Sequence, residues 1–180
     1  MHSWSGRLAL VIALLTATIH GQAPADRADL TFNAHVIGII DGDTIDVLRA
    51  NTKRRVRIRL EGIDAPERGE PFTQQAKNLT RVLAFDHDVI VMCKELDPYG
   101  RLVARVRLGE VDLSVAIVAA GLACHFRRYS SDRVLAKAEA DAKSAGRGFW
   151  APGVPKPACV GAAAGAPKPK RRDFVPPATA

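Results

Sequence analysis

Cysteine is scarce in this chain and aromatic residues are few, with three cysteines, two tryptophans, two tyrosines and six phenylalanines among 180 residues. Cys93, Cys124 and Cys159 stand far apart and match no pattern of clustered thiolate and imidazole ligands, which excludes a zinc site of the finger or ribbon kind. An odd number leaves at least one thiol unpaired, and the spacing does not choose among the three possible pairs. Long hydrophobic runs are also wanting. Leu8 to Ala17 is too short to span a bilayer comfortably, and no second such stretch follows it. It comes after Arg7 and before Gly21-Gln22-Ala23, whose small residues suit a cleavage site, so residues 1–23 read as a secretory signal peptide, with Ala25 a second possible cut. The absence of cysteine near the cut excludes a lipoprotein. The mature protein is therefore expected to be secreted or periplasmic, without a membrane span, and in that oxidising setting a structural disulfide is favoured over a reactive thiol.

Acidic charge is in deficit. Lys and Arg number 26 against 19 Asp and Glu, a formal net charge of +7. Part of the excess lies in Lys168, Lys170, Arg171 and Arg172, so the hint of a polyanionic partner is shared between the folded part and a solvated tail. Beyond Trp150 the composition shifts to Pro, Ala, Gly and Lys and lacks the apolar content to fold alone. The expected division is a signal peptide over 1–23, a linker over 24–33, one folded domain over 34–150 and a disordered tail over 151–180, the whole acting as a monomer.

Apolar and polar residues alternate through the first half of that domain. The pattern predicts strands over 34–40 and 44–48, joined by the tight turn Asp41-Gly42-Asp43, and a third strand over 56–60 after the turn at 50–53. The third strand is the one that matters most. Val56, Ile58 and Leu60 supply a buried face while Arg57, Arg59 and Glu61 supply a polar one. Gly62 weakens the ladder and Pro66 ends it, leaving Asp64 and Glu67 on the following loop. Short connections make the three strands an antiparallel meander, which brings Asp43 toward Asp64. A helix opening at Pro71 carries Phe72, Ala76, Leu79, Val82 and Leu83 on its apolar face. Strands over 89–93 and 102–108 follow, then helices over 113–120, capped by Asp112, and 133–145, capped by Ser131 or Asp132. The fold class is α+β, mainly β: a five-stranded barrel of the OB-fold kind with three flanking helices.

Four segments in this order, Ile39-Ile40-Asp41-Gly42-Asp43-Thr44, Arg57 through Glu67, Asp97-Pro98-Tyr99-Gly100-Arg101-Leu102 and Gly121-Leu122-Ala123, resemble the staphylococcal nuclease (thermonuclease) family over roughly residues 34–150. The resemblance implies an OB-fold endonuclease that uses calcium, Ca2+, to hydrolyse DNA and RNA. By the same resemblance Asp43 and Asp64 are carboxylate ligands of the metal, and Ala65 contributes its backbone carbonyl. Glu67 positions or deprotonates the attacking water, Arg59 and Arg101 hold the scissile phosphate, and Tyr99 lies beside the nucleotide. Arg68-Gly69-Glu70 is shorter than the family's mobile loop, and the family's second stacking tyrosine has no evident counterpart, so Arg127, Tyr129 and Phe126 are candidates for substrate contact.

Physical chemistry supports that assignment independently. Negative charge grows at phosphorus as hydroxide attacks, so a hard cation and two guanidinium forks stabilise the transition state preferentially. The competing reading is an exported OB module that binds nucleic acid without cutting it; three acids near the phosphate path would only repel such a ligand. His35, His87 and His125 enter neither reading.

Overall fold

Strand alternation closes the first part of the chain into a barrel. The computed structural model describes residues 31–161. Within them β1 (Thr31–Ile39), β2 (Thr44–Arg49) and β3 (Arg55–Leu60) pair antiparallel in sequence order. The two-residue β4 (Ile63–Asp64) leaves the barrel, and α1 (Thr73–Ala84) leads to β5 (Asp88–Leu96), which returns antiparallel to β1. β6 (Leu102–Leu108) pairs with β5 and then closes the ring by running parallel to β3, with Ile58, Arg59 and Leu60 opposite Leu102, Val103 and Ala104. Five strands thus make a closed barrel of the OB kind, and the fold is mainly β. Val36, Ile45, Val47, Ile58, Leu60, Val91, Ala104 and Val106 point inward and are buried.

Two further short strands complete the frame: β7 (Val111–Asp112) extends β6, and β8 (Cys124–His125) pairs with β4. Asp112 caps α2 (Leu113–Ala119) by accepting the Val115 N–H, and Asp132 rather than Ser131 caps α3 (Arg133–Ser144) by accepting those of Val134 and Leu135. Packing shifts several sequence-based boundaries. β1 begins at Thr31 because the Phe32 side chain is needed inside the barrel, and β5 runs on to Leu96 past a bulge between Cys93 and Glu95. Helix α1 starts at Thr73, because Phe72 adopts a left-handed conformation with φ 67° and turns its ring onto Phe149. Val82 is 76% exposed, and Ala76, Thr80 and Ala84 form the buried stripe of α1 instead.

The chain does not pass into tail at residue 151. Cys124 and Cys159 form a disulfide, Cys93 is a free thiol, and Lys156 donates to the carbonyls of Phe149 and Ala151 at 2.6 and 2.7 Å. A segment too poor in apolar residues to fold alone is held to the barrel by a covalent bond and the Lys156 hydrogen bonds, ending in the single turn α4 (Ala158–Gly161). The leader, most of the linker and residues 162–180 lie outside the described residues.

Candidate active site

The turn between β1 and β2 supplies the first carboxylate. Ile40 donates its N–H to the Thr44 carbonyl at 2.9 Å, closing the Asp41-Gly42-Asp43 loop. Gly42 is there for room as well as for the turn, since a Cβ at that position would stand 2.7 Å from the Ala76 Cβ and 2.8 Å from the Ala65 Cβ. Thr80 on α1 donates its hydroxyl to the Gly42 carbonyl at 2.7 Å, so the helix pins the turn against the loop that follows β4. Asp43, 5% exposed, accepts the Thr44 hydroxyl at 3.1 Å and the Ala65 N–H at 2.7 Å. The meander therefore brings Asp43 to the far end of β3.

Arg59 lies between the two acids. Its guanidinium forms ion pairs with Asp43 and, at 3.3 Å, with Asp64, and donates to the Ile63 carbonyl at 2.9 Å. Burial alone would weaken its charge, but the carboxylates of Asp43, Asp64, Asp41 and Glu67 outweigh that and hold it more firmly protonated than usual. Asp41 accepts the Asp43 N–H at 3.3 Å. Burial, then the neighbouring charge of Asp43, pushes the Asp41 carboxyl up to about 6. Three acids share one guanidinium, leaving a surplus of negative charge on oxygen donors.

That surplus is the test of whether a cation belongs here. Among the described residues no three His, Cys, Asp or Glu side chains close around one point as a ready-made metal cage. Two buried carboxylates, a nearby backbone and a third acid reluctant to ionise nevertheless form the hard, oxygen-only donor set that suits a divalent cation keeping several waters. The residues fit such a group.

The remaining candidates form an outer ring. Glu67 is half-buried on the loop after β4, its N–H bonded to Glu70 Oε2 at 2.8 Å and its carbonyl to the Thr73 hydroxyl, which fixes its backbone while the side chain faces Arg59 closely enough to bear on its charge. Ala65 is buried, and its N–H is the group committed to Asp43. Arg101 precedes β6 and is held by Asp97, which accepts its N–H at 2.9 Å and its Nε at 2.6 Å; the guanidinium stands 5.5 Å from the ring of Tyr99, itself 61% exposed. The Arg101–Tyr99 pair sits on the β5–β6 turn and makes no ion pair with Asp43 or Asp64. Arg127 and Tyr129 follow β8: Arg127 donates to Glu139 at 2.9 Å, and Tyr129 packs on Phe126 with ring centroids 4.9 Å apart. Both are exposed at the surface.

Asp41 and Thr80 are the site residues that sequence reasoning passed over. The signal for Asp41 was present, since an acid two residues before Asp43 across a glycine must share its surroundings. Nothing local marks Thr80, whose partner lies 38 residues away.

An OB barrel whose mouth gathers buried acids around an arginine is the class that fold and site define. The particular lineage comes from comparison. A family model described as staphylococcal nuclease homologue matches residues 57–152. A micrococcal nuclease of Shigella flexneri is 33% identical over 161 residues, covering 83% of this chain and 88% of that protein. An uncharacterized endonuclease of Escherichia coli is 30% identical over 145 residues, covering 80% and 85%, and one of Haemophilus influenzae is 32% identical over 120 residues, covering 67% of each. The chain belongs to the staphylococcal nuclease family.

Proposed function

We propose that the mature protein is an exported, calcium-dependent nuclease that hydrolyses phosphodiester bonds of DNA and RNA. The observation that carries this reading is Arg59 buried between Asp43 and Asp64 with Glu67 within electrostatic reach. Asp43, Asp64 and the Ala65 carbonyl would hold calcium, which when bound supplies charge neutralisation and polarisation of a phosphate oxygen. Glu67 positions the attacking water or accepts its proton. Arg59 and Arg101 donate to phosphate oxygens as negative charge builds. Asp97 holds the Nε side of Arg101, so the Nη pair is the part left for the phosphate. Tyr99, Arg127 and Tyr129 orient the nucleotide by stacking and charge. The mature protein acts as a monomer.

Export through the N-terminal signal peptide to the periplasm or the medium is supported by the Cys124–Cys159 bond, which persists in an oxidising compartment.

The test is cleavage of single-stranded DNA with calcium and then with excess chelator, beside Glu67→Gln and Arg101→Ala. The expected result is activity that needs calcium and falls by roughly 10²–10³ in each variant. Retained DNA binding with no cleavage under any metal would make the protein a binding module.

A further inference from the structure

Beside the acid cluster, β3 carries two arginines that the hydrolytic scheme does not use, Arg55 and Arg57, in line with Arg59, which it does. Arg55, Arg57 and Arg59 alternate with the inward-facing Val56, Ile58 and Leu60, so their side chains stand on the outer face, roughly 7 Å apart along the strand. Their exposure falls toward the acids, from 62% to 33% to 11%. Residues 44–59 hold six basic residues and a single acid, Asp46, so this hairpin is the most positive stretch of the barrel.

Asp46 is what fixes the row. It is 1% exposed and lies opposite Arg57 on β2. Its Oδ1 accepts Arg57 Nε at 2.9 Å, and its Oδ2 accepts Arg57 Nη2 at 3.0 Å and Arg55 Nη2 at 2.5 Å. One carboxylate holds two guanidiniums in place and offsets about one of their two charges, with Asp41 adding a weaker pull on Arg57. Burial, the largest influence on Asp46, would push its carboxyl up, yet the hydrogen bonds from Arg57 and Arg55 bring it below the usual range, so the clamp stays charged at neutral pH. The row also runs beside the other phosphate-binding arginine. The parallel register that sets Ile58 opposite Leu102 sets Arg57 opposite Arg101 when continued by one residue. Lys53 and Arg54 extend the positive charge to the exposed hairpin tip.

A net positive, immobilised row that leads from solvent to the site and meets it beside both arginines is a track for a repeating anion. We propose that Arg55 and Arg57, fixed by Asp46, form a subsite for the phosphates flanking the scissile one on a polynucleotide strand, favouring attack within a chain over attack on a short fragment. This rests on the nuclease reading and deepens it.

The test compares a 12-residue single-stranded DNA with a dinucleotide drawn from its centre, by kcat/KM, and measures 12-mer binding across a salt series. The variant is Asp46→Asn/Arg55→Gln/Arg57→Gln, because removing the arginines alone would strand a buried carboxylate; Arg57→Lys keeps the charge as a control. The wild type should prefer the 12-mer, the triple variant should lose about tenfold of that preference, and its salt slope should fall by about one. Arg57→Lys should hold the wild-type slope. An unchanged preference and slope in the triple variant, or an equal fall in Arg57→Lys, would overturn the subsite. Should the wild type cleave neither substrate, the nuclease reading fails, while the salt slopes of binding still decide the subsite.

Discussion

Two buried groups of charge flank β8, and they differ in their balance. On the α3 side a single acid, Glu139, 4% exposed, accepts from the His125 N–H at 3.0 Å, Arg127 at 2.9 Å and Lys143 at 2.9 Å. At the barrel mouth three acids, Asp41, Asp43 and Asp64, share the guanidinium of Arg59. The consequences run in opposite directions. Burial, the largest influence, pushes Glu139 up, but Lys143, Arg127 and the His125 N–H outweigh it and leave the carboxyl below its ordinary range. Asp41, buried and beside the charge of Asp43, rises to about 6. An acid outnumbered by its donors stabilises the fold; acids that outnumber their cations favour the arrival of another cation.

The largest effect should come from removing the guanidinium that pairs with both Asp43 and Asp64 at the mouth. Arg59→Ala should lower the rate of DNA cleavage by roughly 10²–10³, read as kcat with calcium saturating. Without calcium the same variant should unfold at lower temperature than the wild type, and calcium should restore more stability to the variant, because the acids then lack the guanidinium that offsets their mutual repulsion. A calcium gain equal in both proteins would break the contrast between a deficient and a satisfied cluster.

Next in size is the disulfide on β8, the strand that lies between the two groups. Cys124 lies opposite Asp64 in the β4–β8 ladder, and its neighbour His125 carries the N–H held by Glu139. The disulfide to Cys159 closes a loop of 35 residues, worth roughly 3–4 kcal/mol on loop entropy. Cys159→Ser should lower the urea midpoint accordingly and weaken calcium affinity, since the strand carrying Asp64 loses its braced neighbour. Lowered stability with calcium affinity intact would show that the brace serves only the α3 side.

The barrel and the acids at its mouth were legible in the sequence because they depend on local signals. Alternation in β3, the Asp-Gly-Asp turn and Pro66 place Asp43, Asp64 and Glu67 without knowledge of tertiary contacts. What was not legible depends on partners distant in the chain. Phe72 looked like part of a helical stripe, but Phe149 draws its ring away from α1. Residues 151–161 looked like tail because their composition cannot form a core, and only the approach of Cys124 shows what holds them. Asp46 falls within the strand expected over 44–48, and only the cross-strand register makes it the clamp of two arginines. Composition reports what a segment can bury by itself, and these residues are held by what others bring to them.

The smallest effect tests the satisfied side. Glu139→Gln keeps the shape of the side chain but removes the charge that Arg127 and Lys143 share, while both cations are about half exposed and regain water readily. The cost is therefore that of weakened hydrogen bonds, about 1–3 kcal/mol at pH 7, rather than that of a stranded buried charge. Because the folded-state carboxyl lies below the ordinary glutamate value of 4.5, its contribution is fully present above that value and is lost as pH falls through the lower, folded one. Unfolding midpoints of wild type and Glu139→Gln should thus differ at pH 7 and converge on acidification below about 4.5, with the calcium-dependent gain in stability the same in both at neutral pH. A difference independent of pH would mean that Glu139 acts through packing, and the two clusters would then differ in kind rather than in their ratio of acids to donors.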